Sequence, residues 1–186
     1  MLTTTDAIVL SLQPHSDKAH LLHAYTRAGG RVNYMVYGLG KKNTAGRYSP
    51  LSLLQITTDE RSIRTAQLAY VPRTIDTDPY KRTIALFISE VLYHVLRHPM
   101  PDEPMYNFLT EAVQTLDETS DPRNFHLRFL MEFAAKLGFA MEEEPVLPSS
   151  RKARQEQLRS LCAYFAEHVE TWQEPKSIEV LMEVFD

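Results

Sequence analysis

One cysteine, six glycines and the lack of any long apolar run set the first limits on this 186-residue chain. Cys162 stands alone, which excludes an internal disulfide and any zinc site built from several thiolates. No apolar stretch approaches the roughly 20 residues that a bilayer-spanning helix needs, so no membrane partner is expected. Gly29, Gly30, Gly38, Gly40 and Gly46 match neither the P-loop nor the dinucleotide spacing, and no serine sits in a nucleophile elbow. The segment Met1 to Leu12 has no basic region and carries Asp6, so no secretory leader is expected. There is no internal repeat and no low-complexity tract. The reading is therefore non-enzymatic, with no catalytic residue, no cofactor and no metal, in a reducing cytoplasm.

The charge is unevenly placed. Overall it is −4, yet residues 1–80 hold nine Lys/Arg against six Asp/Glu, and residues 81–186 hold eleven against eighteen. A locally basic module inside an acidic protein is what an anionic partner requires, because the local potential attracts phosphate.

The first part has a strand pattern. Ile8, Leu10 and Leu12 share one face of an extended Thr5–Leu12. Ala19 to Thr26 follows a Pro14-His15-Ser16-Asp17 turn cluster; Leu21, Leu22 and Tyr25 also fit a helical stripe. Gly29-Gly30 marks a reversal. Val32, Tyr34 and Val36 then alternate with Arg31, Asn33, Met35 and Tyr37. After a loop from Gly38 to Ser49, strands are expected at Leu51–Thr57 and Ala66–Val71. Five short strands in so few residues point to a small barrel, which leaves no edge exposed.

At Asp78-Pro79 the period becomes helical, since Asp accepts at an N-cap and Pro suits the first turn. Helices are expected from there to His98-Pro99, over Pro104–Glu118, from Asp121-Pro122 to a Gly138 cap, after Ser149 or Ser150, and from Pro175. The acidic run Glu142 to Ser150 reads as a connection. The fold class is α+β: a five-stranded OB-type barrel over 1–77, then a helical bundle over 78–186. His94 and His98 stand i, i+4, the spacing for two imidazole ligands, but no third ligand is evident and a zincin's intervening Glu is lacking. His15, His20 and His23 cluster near Asp17, with His20 and His23 on opposite strand faces. Cys162 lies on an inner helical stripe, where it packs as a small apolar residue.

The constellation that carries chemistry is basic and aromatic. Arg27 and Arg31 flank Gly29-Gly30, Lys41, Lys42 and Arg47 lie in the following loop, and Tyr37 and Tyr48 bracket it. Cations displace counterions from phosphates and aromatic faces stack bases without reading sequence. Arg27, Arg31, Tyr37, Lys41, Lys42 and Arg47 are the candidate DNA contacts.

In chain order, the segments resemble the RecO family of DNA repair proteins. Thr5-Asp6-Ala7-Ile8-Val9-Leu10 resembles its first strand. Pro14 with Ser16-Asp17 is similar to its first turn, and Tyr25-Thr26 with Gly30-Arg31-Val32 to its second hairpin. Val36-Tyr37-Gly38 with Lys41-Lys42 resembles its strand and basic loop, and Ser49-Pro50-Leu51-Ser52-Leu53-Leu54 the next strand entry. Phe129 to Phe139 resembles its bundle helix and Pro175 to Leu181 its terminal helix. Two departures stand out. The four-cysteine zinc module of many members is missing, and Gly138 to Arg151 is short, so a trimmed, zinc-free member is expected.

The resemblance implies a recombination mediator. It would bind single- and double-stranded DNA, anneal complementary strands and load the strand-exchange protein with RecR, in a nucleoid-associated cytoplasmic setting. It also implies capture of the acidic, Phe-ended tail of the single-strand-binding protein. That tail needs an apolar pocket with a basic rim; Arg128 and Arg123 are the candidates. The alternative is an adaptor that binds the tail or RecR with little DNA binding of its own.

Overall fold

The computed structural model describes residues 1–39, 45–142 and 146–184. Five strands, β1 (Leu2–Ser16), β2 (Ala19–Thr26), β3 (Gly30–Tyr37), β4 (Leu53–Asp59) and β5 (Ser62–Leu68), close in the order β1-β2-β3-β5-β4. The helices are α1 (Pro79–Val95), α2 (Glu103–Glu118), α3 (Phe125–Lys136), α4 (Arg151–His168) and α5 (Ile178–Val184). The architecture is the α+β one that the residue pattern implies: an OB-type barrel, then helices. The chain forms two compact units, 1–72 with 96–111, and 73–95 with 112–186.

The barrel interior is filled by Ala7, Val9, Leu22, Ala24, Tyr34, Val36, Tyr48, Leu54 and Ile56. On β1 this departs from simple alternation. Val9 pairs with Ala24 and Ser11 with His23, so Leu10 is an extra residue and the phase flips there. Ala7 and Val9 face inward before the bulge and Leu12 packs against the interior after it. Ile8 and Leu10 are buried outside that cluster. The Ile8-Leu10-Leu12 face expected of a straight strand is therefore split. A second register shift beyond Thr57 puts Ile63 and Ala66 against the interior of the barrel.

β5 begins at Ser62, earlier than expected, because Glu60-Arg61 makes a two-residue turn with Glu60 at φ 54°. No glycine announces that hairpin. The first turn is likewise Asp17-Lys18, with Pro14 inside β1 beside a register shift, where its missing N–H is tolerated. Gly30 has φ 61°, and a Cβ there would lie 2.1 Å from the Met100 carbonyl oxygen.

In the second unit, Phe87, Phe133 and Phe165 are fully buried with Ile84, Ile88, Leu92 and Leu116. Asp78 caps α1 by accepting from the Tyr80 and Lys81 amides, and the Ser150 hydroxyl accepts from Ala153 at the start of α4. α3 starts at Phe125 rather than at Asp121-Pro122, since Asp121 binds the Arg123 amide and guanidinium instead of capping a helix. α1 ends at Val95, so His98 lies beyond it and the expected i, i+4 imidazole pair on one helix does not form. Among the described residues no three His, Cys, Asp or Glu side chains gather to hold a metal ion, and no helix is long and apolar enough to cross a membrane.

The sequence between the barrel and α1 is tied down by a buried clamp. The Asp117 carboxylate accepts from the amides of Arg73, Thr74 and Ile75 at 2.8, 2.8 and 2.9 Å. Buried Lys81 donates from Nζ to Thr74 Oγ1 and to the Asp117 carbonyl. Both charged groups are thus satisfied inside the fold, which is what makes their burial tolerable.

Candidate functional site

The register of β2 against β3 divides the basic and aromatic candidates. Ala19 pairs with Tyr37 at one end and Thr26 with Gly30 at the other. Arg27 and Arg31 therefore sit at the opposite end of the hairpin from Tyr37, roughly 20 Å away along an extended strand.

At the Arg27 end the cations are committed internally. Arg27 pairs with Asp6 and Glu103, donates to Asn107 Oδ1 at 2.9 Å and lies 4.4 Å over the Tyr106 ring. Arg31 is only 9% exposed; Nη1 donates to the Leu96 carbonyl and Nη2 lies 3.2 Å from His23 Nδ1. Burial, reinforced by the Arg31 charge and opposed by Asn33, lowers the His23 pKa and favours a neutral imidazole beside the guanidinium. A phosphate contact by Arg31 would require it to leave these partners.

The C-terminal end of β3 is different. Tyr37 is 59% exposed, whereas Tyr48 is packed in the barrel. The Gly38 amide donates to the Lys18 carbonyl and the Met35 amide to the Arg61 carbonyl at 2.7 Å, so two hairpin turns flank this segment. Lys18 and Arg61 are both exposed. Residue patterning misses them because each follows an acid, Asp17 or Glu60, in a turn whose position is set by register. Arg47 is half-buried in a 3₁₀ turn over Ala45–Tyr48 and donates to the Ala66 carbonyl. Lys41 and Lys42 lie outside the described residues.

A second feature lies in the helical unit. A narrow cavity is lined by His126, Arg151, Arg154, Gln155, Leu158, Leu181 and Met182. Arg154 is 6% exposed, and its Nε has no hydrogen-bond partner among the described residues. Burial and the Arg123 charge lower its pKa against the opposing pull of Asp121. Burial, followed by the Arg154 charge, pushes the His126 pKa down to about 3, so the imidazole is neutral around pH 7. The buried Arg154 cation thus lies beside the apolar side chains of Leu158, Leu181 and Met182. Arg123 and Arg128 are exposed and do not line this cavity. Arg151 and Arg154 escape sequence reading because α4 presents its apolar stripe, and only the packing of α3 and α5 turns these cations toward a cavity. Cys162 is no nucleophile here: burial, then Glu174, pushes its thiol up to about 12.

A closed barrel of this strand order with an exposed tyrosine between two cationic turns, followed by a helical unit, defines a two-part OB-barrel protein. The family models agree in extent and order: "Recombination protein O N terminal" matches residues 1–71 and "Recombination protein O C terminal" residues 76–144. The chain belongs to the RecO family. It is 33% identical over 150 residues to DNA repair protein RecO of Porphyromonas gingivalis, and 34% over 148 residues to that of Phocaeicola vulgatus. Each match covers 74% of this chain and 61% of the relative, so the matched region spans about three fifths of these relatives' length. DNA repair protein RecO of Christiangramia forsetii aligns over all of both chains at 25% identity, in 238 aligned positions.

Proposed function

We propose that this chain is a recombination mediator in DNA repair. It binds single- and double-stranded DNA through the barrel, promotes annealing and helps load the strand-exchange protein with RecR, at the nucleoid. Residues 1–77 serve nucleic acid and 78–186 serve protein partners. Family membership supports the general role. The observation that carries the DNA contact is exposed Tyr37 flanked by the Lys18 and Arg61 turns. In this reading Tyr37, Lys41, Lys42 and Arg47 are joined by Lys18 and Arg61, while Arg27 and Arg31 hold the far end of the hairpin. The mechanism needs no covalent step: phosphates release counterions to the cations, and a base stacks on the tyrosine. The test is the affinity for a single-stranded oligonucleotide across a salt series. Log K should fall with log salt by several units of slope, and a flat line would sink the proposal.

The cavity at Arg154 favours a second, compatible reading as a protein adaptor. A Phe-ended acidic peptide, such as the tail of the single-strand-binding protein, presents the apolar group and carboxylate that this site can hold. Binding of such a peptide should be lost in Arg154→Ala and kept in Lys18→Glu. Equal affinity in the wild type and both variants would remove the cavity from the account.

A further inference from the structure

The cavity already has a contact at its rim. Arg151 Nη2 donates to the carbonyls of Met182 and Glu183 at 3.4 and 3.3 Å, and Gln155 Nε2 donates to the Met182 carbonyl at 2.9 Å. Those carbonyls belong to the last turn of α5, at the negative end of the helix dipole. α5 has seven residues, too few to hold a helix by itself. Its start is anchored elsewhere: the Glu90 carboxylate accepts from the amide and hydroxyl of Ser177 at 3.0 and 2.8 Å. Buried Ile178 and Leu181 supply the packing. The last turn therefore depends on the same two side chains, Arg151 and Gln155, that line the Arg154 cavity.

We infer that the last turn of α5 is an internal competitor for this cavity. A carboxylate that reaches Arg154 faces the negative end of α5 and draws Arg151 away from the Met182 and Glu183 carbonyls. Ligand entry and loosening of α5 are then one linked equilibrium. The direction follows from hydrogen-bond strength, since a guanidinium binds a carboxylate, often bidentately, more strongly than it binds a neutral carbonyl. The opening is confined to the Arg151 contacts with the Met182 and Glu183 carbonyls, Leu181 keeping its place in the cavity wall. Its cost is drawn from the binding free energy, so weakening the far anchor of α5 raises the apparent affinity. This inference rests on the reading of the cavity as a site for an apolar, carboxylate-bearing peptide.

The experiment uses the full chain and a fluorescent acidic peptide ending in Phe with a free carboxylate. Affinity is measured for the wild type, for Glu90→Ala, and for the milder Ser177→Ala, which removes only the hydroxyl bond. Amide exchange across residues 178–184 is followed with and without peptide. Several-fold tighter binding by either variant, with faster exchange of the α5 amides in the peptide-bound wild type, is the expected result. Peptide binding of equal strength in all three proteins, with α5 exchange unchanged, overturns the internal competition and leaves the peptide site standing. Absence of peptide binding in all three overturns both.

Discussion

The Met35 amide donates to the Arg61 carbonyl at 2.7 Å, closing the β4–β5 turn against β3 two residues before Tyr37. This bond makes Arg61, remote from Tyr37 in sequence, a neighbour of the exposed aromatic segment. The double variant Lys18→Glu/Arg61→Glu should bind single-stranded DNA more weakly at every salt concentration. The slope of log K against log salt should shrink by about one for each phosphate that is no longer neutralised. Unchanged slope and affinity would remove this surface from the proposed DNA contact.

Arg27 gives the contrasting case. Its interactions with Asp6, Glu103, Asn107 and Tyr106 are partly exposed, so Arg27→Ala should cost only about 1 kcal/mol of stability. The salt slope should stay as in the wild type. Denaturant unfolding and anisotropy on the same preparations separate the two effects.

Gly30→Ala should be far more damaging. The residue sits at φ 61°, and the new Cβ would meet the Met100 and His98 carbonyl oxygens at 2.1 and 2.8 Å. The left-handed backbone alone costs about 1 kcal/mol, and the overlap with backbone cannot be relieved by turning a side chain. A melting temperature equal to that of the wild type would contradict this packing.

Asp117→Ala leaves three buried or half-buried amides and the Thr74 hydroxyl without their carboxylate acceptor. A loss of about 3–5 kcal/mol is expected by urea unfolding. Faster proteolysis between the two matched family regions, around residues 73–75, should accompany it.

His126 predicts a pH dependence. Its pKa falls from 6.5 to about 3 on folding. Between those values the unfolded chain binds the proton and the folded chain does not, so stability rises with pH through this window and is complete above about pH 6.5. Lowering the pH from 7 to 4 should therefore cost a few kcal/mol, on the order of 1.4 per unit of pKa difference. His23, also lowered, acts in the same sense. His126→Leu should flatten the profile by the His126 share alone, measured by urea midpoints at each pH.

Much of the architecture is legible in local chemistry. Val32, Tyr34 and Val36 alternate inward as a strand with one buried face dictates, and Asp78-Pro79 and Ser150 begin helices because their side chains satisfy first-turn amides. The bulge at Leu10 and the turn at Glu60-Arg61 carry no such local mark, so pattern alone misplaces the phase of β1 and the start of β5. At the candidate sites the same division holds. Tyr37 is visible as the last outward residue of an alternating strand, whereas Arg154 is hidden on a helix whose neighbours the pattern does not reveal.

The sequence by itself determined the barrel-then-helices order, the Asp78 and Ser150 caps and the lone thiol, because these follow from side-chain period, hydrogen-bonding capacity and composition. Only tertiary structure decided which cations are available. The same side chain that ends in water as Arg61 is consumed by the Leu96 carbonyl as Arg31, or is turned into a cavity as Arg154. A guanidinium looks alike in every sequence; its role is set by the carbonyls, carboxylates and apolar walls that folding brings around it.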